Sequence, residues 1–395
     1  TKAASLSALS GAPADILLII GEDALDQYRA ATSAPLEGFV EAGGRVLALA
    51  QGAAPANLPV ETALEPRYWS SQVYVRAGSH PILQGLGSHD FHFWQPDRSV
   101  AVGAYQKPFS GSFITLLDAC NWKTLDLVPM LEVFRGKGSY LLCQLPLASR
   151  HDVEPMAREL LTRTVRYCGG KSAYACPVKT LCVVTNPDSD TAGVLANLKV
   201  KHRITDGTSV LHAGSPVLLD ADFVRTASPE RRAKWAEILN RGTTFVILNA
   251  DPQDQQWISQ LAGSRVSIRA VPFELWDGRG FRRGWSRYTA GLSHLDLYWK
   301  RYSGDEHAAC QAEQTSNVIE PLQHYSAGAE NGRELVFPGG LVELPAGKGT
   351  LLLDQRRWTA RDEALARIAM RNVSSLMTAL DIAMSSYIAP RPLPN

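Results

Sequence analysis

Cysteine is scarce in this chain, with 6 in 395 residues and no C-x-x-C pair. That excludes a disulfide-dense scaffold and the closely spaced thiolates of a zinc ribbon or thioredoxin-like centre. A single bridge from Cys168 to Cys176 would suit an oxidising compartment. Reduced, buried thiols are the plainer reading. Charge of one sign is also lacking. The net charge is +1, so no global field gathers nucleic acid or a membrane surface. No run of about 18 apolar residues exists, so no segment reads as a membrane-spanning helix. The chain has no G-x-S-x-G elbow, Walker loop or G-x-G-x-x-G cradle. These are the marks of serine-nucleophile, nucleotide and dinucleotide chemistry. No cofactor is expected.

What the chain does have is a repeat. Gly136-Lys137-Gly138-Ser139-Tyr140-Leu141-Leu142-Cys143-Gln144 recurs as Gly347-Lys348-Gly349-Thr350-Leu351-Leu352-Leu353-Asp354-Gln355. Each copy reads as a glycine turn feeding an apolar strand that ends at Gln. A long amphipathic helix follows each, with Met156, Leu160, Leu161, Thr164 and Val165 on one face, and Leu365, Ile368, Val373, Leu376 and Leu380 on the other.

Earlier elements fall into the same register. Asp15 to Gly21 is an apolar run of the kind buried on both faces of a parallel sheet. A helix with Leu36, Phe39 and Val40 on one stripe follows, ended by Gly43-Gly44. Arg45 to Ala50 is the next strand, which completes a βαβ unit. The second copy offers Val217 to Asp220, a helix opened by Ser228 as N-cap and Pro229, and Thr244 to Asn249. Ser88-His89-Asp90-Phe91-His92-Phe93-Trp94 lines up with Ser293-His294-Leu295-Asp296-Leu297-Tyr298-Trp299. Ser88, His89, Trp94 and Gln144 thus match Ser293, His294, Trp299 and Gln355.

The second copy alone carries an early strand, Lys179 to Thr185, and helix, Ala192 to Leu198, before its short His202-Arg203-Ile204-Thr205 strand. Thr1-Lys2-Ala3 matches only that short strand. The expectation is a chain that starts inside a domain, as a piece of a longer polypeptide. The alternative is a complete chain whose first repeat lacks its leading strand.

Alternating buried strands and helices give an α/β fold: two tandem doubly wound, mostly parallel sheets of flavodoxin-like type. The first domain is placed at about 1–170 and the second at about 175–390. The residues Leu36 to Leu49, Pro81 to Leu86 with Phe93-Trp94, and Gly136 to Gln144 with Glu154-Pro155 resemble the class I glutamine amidotransferase-like fold. They are most similar to the non-catalytic copies appended to bacterial glycoside hydrolases, including family 2 β-galactosidase-like proteins. The resemblance covers nearly the whole chain, twice, and it implies fold more than activity.

A working amidotransferase needs a Cys on the turn after a central strand, with His and Glu at a later strand end. The turns here hold Ala50-Gln51-Gly52 and Asn249-Ala250-Asp251. Gln144-Leu145-Pro146 and Gln355-Arg356-Arg357 follow the late strands. Cys143 lies within a strand, and His151 with Glu154 lies on a loop. No catalytic residue is assigned.

His89, Asp90 and His92 are the metal candidates, but in an extended stretch the two imidazoles point to opposite faces. A packing role is the plainer reading, and no metal site is assigned. Asp118, Glu132, Glu274 and Asp277 are acids near aromatics, without the cleft pattern of a glycosidase. Trp276, Arg279, Phe281, Arg282, Arg283, Trp285, Arg287 and Tyr288 form an unpaired stretch rich in Arg and aromatics. That composition suits a protein interface, sugar stacking, or self-packing of the excursion.

The resulting expectation is a non-catalytic accessory region of a carbohydrate-active enzyme resembling a family 2 glycoside hydrolase. Its partners would be a catalytic domain or chain of a larger glycosidase, other copies in an oligomer, or carbohydrate, rather than nucleic acid or a membrane. A self-contained glycoside hydrolase and a glycan-binding module are the rivals.

Overall fold

The computed structural model describes residues 16–25, 33–55, 57–66, 68–120, 126–170, 176–207, 214–271, 286–297, 323–360 and 363–385. Its contacts divide the chain into two units. One takes Thr1–Val178 with Trp285–Ser293 and Ser374–Asn395. The other takes Lys179–Gly284 with His294–Val373.

In the first unit, β1 (Leu17–Ile20), α1 (Ser33–Glu41) and β2 (Arg45–Ala48) make the expected βαβ step, with β1 parallel to β2. Then come β3 (Leu64–Glu65), β4 (Tyr74–Val75), β5 (Ala104–Gln106), β6 (Phe113–Ala119), β7 (Leu127–Arg135), β8 (Gly138–Cys143) and helix α2 (Pro155–Gly169). Among the described residues of this unit, only β1, β2 and β8 run parallel. β7 pairs antiparallel with β8, and β3 to β6 extend the sheet in antiparallel steps. The parallel part is therefore narrower than the sequence implied. The Gly136-Lys137 turn is the reason, since so short a link can join only antiparallel neighbours.

β1 also differs from the reading of a strand buried on both faces. It pairs only with β2 among the described residues, and Ile16 and Ile19 are 41% and 47% exposed. It is an edge strand.

The second unit holds β9 (Leu181–Val184), α3 (Asp190–Asn197), β10 (His202–Thr205), β11 (Val217–Asp220), α4 (Ala221–Val224), α5 (Pro229–Asn240), β12 (Thr244–Leu248), α6 (Gln255–Ala262), β13 (Val266–Ala270), β14 (Tyr325–Ala329), β15 (Arg333–Val336), β16 (Leu341–Ala346), β17 (Gly349–Asp354) and, as far as Val373, α7 (Glu363–Ala379). The main sheet runs β10-β9-β11-β12-β17-β16-β15, and β13 pairs with β14 separately. The first five strands are parallel. Numbered along the chain, their order is the doubly wound 2-1-3-4-5. α5 starts as the sequence implied, with Ser228 Oγ accepting from Arg231 N–H and Pro229 at the first turn. Trp235 and Leu239 of α5 and Trp257, Ile258 and Leu261 of α6 bury one sheet face through Val184, Leu219, Ile247 and Leu353. Each such side chain contributes about 1.5–3 kcal/mol on burial.

The repeated glycine motif has a steric cause in both units. Gly136 and Gly347 sit at φ +58° and +59°, a region open to glycine without penalty. The next amide, of Lys137 or Lys348, donates to the carbonyl of the last residue of α1, Glu41, or of α5, Asn240. At Gly138 a Cβ would stand 2.1 Å from the Gly44 carbonyl oxygen and 2.4 Å from that of Val40. At Gly349 it would stand 2.1 Å from that of Leu239 and 2.4 Å from that of Thr243. The hairpin therefore tucks under α1 or α5 only where side chains are missing.

Candidate functional site

Doubly wound sheets carry ligands beyond the carboxyl ends of their parallel strands, at the point where strand order reverses. In the second unit that point lies between β9 and β11. Asp220, at the end of β11, is 4% exposed. Its Oδ2 accepts from Thr185 Oγ1 at 2.8 Å and Thr191 Oγ1 at 3.1 Å, and its Oδ1 from Asn249 Nδ2 at 3.0 Å. Ser189 Oγ lies 2.9 Å from Thr185 Oγ1 and caps α3 through Ala192 N–H. The reversal point is thus filled by five side chains bonded to one another.

Further along the edge, Arg225 binds Asp222, Asp251 and Asp254 at 3.2, 2.7 and 3.0 Å. Burial raises the Asp222 carboxyl, helped by the Asp220 charge. Burial works against ionising Asp254 as well, but hydrogen bonds from Arg225, Trp257 and the Asp251 N–H outweigh it and hold that group low. Asp354, at the end of β17, takes both arms of Arg356 at 2.8 and 2.9 Å, and Arg356 continues to Asn372 at 2.9 Å.

The first unit fills its strand ends with amides. Gln51 Oε1 accepts from Leu25 N–H at 2.8 Å, and its Nε2 donates to the carbonyls of Gly21 and Leu49. Its backbone N–H donates to Gln144 Oε1 at 3.3 Å, and Gln144 Nε2 donates to the Tyr105 hydroxyl at 3.0 Å. Gln51, Gln144 and Tyr105 are buried. The same pair of positions is linked in the second unit, where Gln355 Nε2 donates to the Ala250 carbonyl at 3.0 Å.

Cys143 closes β8 with its sulfur 3.9 Å from the Leu145 carbonyl, and burial pushes its thiol up to about 12. It carries no thiolate near neutrality. Cys168 and Cys176 are free thiols, as are Cys120, Cys143 and Cys182. No bridge joins the described cysteines.

Ser88-His89-Asp90-Phe91 is a 3-10 turn rather than an extended stretch. His89 and His92 therefore lie near one another, with ring centroids 5.5 Å apart and nearly perpendicular. Asp90 is turned back to accept from Gly87 N–H at 2.8 Å. Among the described residues no group of three or more His, Cys, Asp or Glu is placed to hold a metal ion. Ser88 Oγ accepts from Val75 N–H, and Trp94, 2% exposed, donates to the Asp90 carbonyl at 2.9 Å.

In the second copy, Ser293 is buried and His294 opens a 3-10 turn to Leu297. Trp299 lies outside the described residues, as do Trp276, Arg279, Phe281, Arg282, Arg283 and Trp285. Of that Arg-aromatic stretch, Arg287 pairs with Asp381 at 3.0 Å and lies over the buried Tyr288 ring at 6.0 Å. His151 pairs with Asp152, and Glu154 caps α2.

Two buried acids with basic and hydroxyl partners complete the inventory. Asp118 binds Arg76 at 2.7 Å and the buried Lys107 at 3.4 Å. Glu132 accepts from Ser139 at 3.1 Å and from Tyr167 at 2.8 Å, and faces His80 Nε2 at 3.0 Å. Ile82 N–H donates to His80 Nδ1, which puts the ring proton on Nε2, toward Glu132. Sequence reasoning named both acids but found none of these partners. His80 and Tyr167 carry no local pattern that tells of Glu132. Glu274 and Asp277 lie outside the described residues.

No protein family matches the chain, and no curated protein does. Solved structures give partial likenesses. A β-galactosidase from Rahnella sp. R3 is 8% identical with a TM-score of 0.31, over 57% of this chain and 34% of that one. A β-galactosidase from Bacillus circulans sp. alkalophilus is 10% identical with a TM-score of 0.30, over 58% and 35%. An exo-β-1,4-mannosidase from Opitutaceae bacterium strain TAV5 is 10% identical with a TM-score of 0.27, over 57% and 38%. The matches span little more than a third of those proteins. All three are glycoside hydrolases and none is an amidotransferase. Likeness at this level carries no argument about activity.

Proposed function

We propose that this chain is a non-catalytic accessory region of a carbohydrate-active enzyme, supporting a catalytic domain or contributing contacts within an oligomer. The observation that carries the first half is the filling of the strand ends. Asp220, Gln51, Gln144 and Asp354 occupy the positions where an α/β sheet presents reacting groups. Each is buried and bonded to neighbours in its own unit. A catalytic acid or nucleophile has to be within reach of substrate, and these four are not. The carbohydrate half of the reading rests on the resemblance of the repeat motifs to accessory copies in glycoside hydrolases.

Assay of the purified chain against aryl β-glycosides tests the proposal. The expected outcome is no turnover above buffer. Turnover that one carboxylate substitution abolishes would replace the proposal with a self-contained hydrolase.

A further inference from the structure

The segment from Phe91 to Trp94 alternates in an unusual way. Phe91 and Trp94 are buried at 0% and 2%, while Phe93 between them is 51% exposed. Three contacts pin the stretch. Val73 N–H donates to the Phe91 carbonyl, Phe93 N–H donates to the Ser71 carbonyl at 2.9 Å, and Gln72 bridges to His92. Held in this way, Phe93 takes φ +54°. For a bulky side chain that is a strained conformation, of the kind found at binding and catalytic sites. The strain gains the first unit no burial, because the ring it orients points into solvent.

A second departure from a relaxed structure sits next to it. His92 Nε2 is buried and meets no hydrogen-bond partner among the described residues. Groups of this kind call for a cause. The His92 ring stands nearly perpendicular to those of Phe93 at 6.1 Å, His89 at 5.5 Å and Tyr74 at 6.1 Å. Trp69 is 57% exposed. It lies two residues from Ser71, so its backbone is within about 12 Å of Phe93.

We propose that Trp69 and Phe93 form a stacking surface for a carbohydrate chain, with His89, His92 and Gln72 as the polar groups at its margin. Large rings with amide and imidazole neighbours present an apolar face and hydrogen-bonding groups together, which is what a pyranose ring offers in return. Single-stranded nucleic acid also stacks on aromatics, but it needs cations that track its backbone. Among the described residues two arginines flank this strip: Arg76, held by Asp118 at 2.7 Å, and the exposed Arg98, bridged to Trp94, too few to track a phosphate backbone. The inference goes beyond the accessory reading, which survives if this surface binds nothing.

The test is calorimetric titration of the full chain with cellohexaose and with β-1,4-galactotetraose. One of the two should bind with a Kd below about 1 mM. Trp69→Ala should weaken that binding by about tenfold or more. Phe93→Gly removes the ring and the strain together, so binding should fall similarly while Tm holds or rises. Four results would each overturn the proposal: no binding of either probe, binding indifferent to both substitutions, a fall in Tm of several degrees for Phe93→Gly, or preferential binding of oligo-dT.

Discussion

Arg371 of α7 closes an ion pair on Asp296 at 2.5 Å, and both residues are within 2% of full burial. Counted from Ser88 and Ser293, and from Gln144 and Gln355, the same two positions in the first unit are Phe91 and Leu160. Both of those belong to one apolar cluster. The matched positions are therefore packed differently, once with an apolar pair and once with a buried charge pair.

That difference can be exchanged. Removing one partner of a buried ion pair costs about 3–5 kcal/mol, whereas replacing both with apolar residues is often neutral. Asp296→Asn should lower the urea midpoint sharply. The double change Asp296→Phe with Arg371→Leu should recover most of the loss. A double variant less stable than the single one would break the correspondence.

The glycine turns give a second prediction. Gly138→Ala and Gly349→Ala each drive a Cβ into a helix-end carbonyl. Each should cost about 1–3 kcal/mol through forced backbone shifts. Lys137→Ala and Lys348→Ala, between the same glycines, should stay within about 0.5 kcal/mol. Chemical denaturation of the four variants decides it, and equal effects at glycine and lysine would contradict the steric account.

Removing the Gln144 amide tests the filled strand end of the first unit. Gln144→Ala leaves the Gln51 N–H and the Tyr105 hydroxyl without their buried partner. The cost should be about 1–3 kcal/mol. A neutral effect in thermal melts would mean that the amide does not hold the site closed.

The turns were legible in the sequence because a glycine needed for steric reasons cannot drift to another residue. Gly136-Lys137-Gly138 and Gly347-Lys348-Gly349 are therefore alike while the strands around them differ. The Val217–Asp220 and Thr244–Leu248 strands were legible for the related reason that strands buried on both faces must be apolar throughout. The antiparallel arm of the first unit was not, since Phe113–Ala119 and Leu127–Arg135 are as apolar as parallel strands and periodicity carries no sign of direction. Burial of Trp94 and exposure of Phe93 were equally hidden. They depend on the positive φ at Phe93, which the residue type does not advertise. The long-range bonds at Asp220 and Gln51 join residues 26 to 93 positions apart, a range at which one sequence gives no pairing information.

Alkaline pH should destabilise the protein. Burial pushes the Cys143 thiol up to about 12 and the Cys176 thiol up to about 11, and raises the Tyr105 and Tyr140 hydroxyls. A folded-state value above the unfolded one means that the folded chain holds its proton more tightly. The stability is complete below about 9, the ordinary thiol value, and drains as pH climbs toward 12. Melting temperatures should hold up to about pH 9 and fall above it, with a gentler fall for Cys143→Ala. A melting temperature unchanged up to about pH 11 would contradict the burial of these groups.

The claim that the strand ends hold no reactive group is tested most directly by intact-mass measurement. The chain is incubated with a 2-deoxy-2-fluoro glycoside inactivator and, separately, with 6-diazo-5-oxonorleucine. The account predicts an unmodified 43.1 kDa species in both cases. A stoichiometric adduct mapped to Asp220, Asp354 or Cys143 would contradict it.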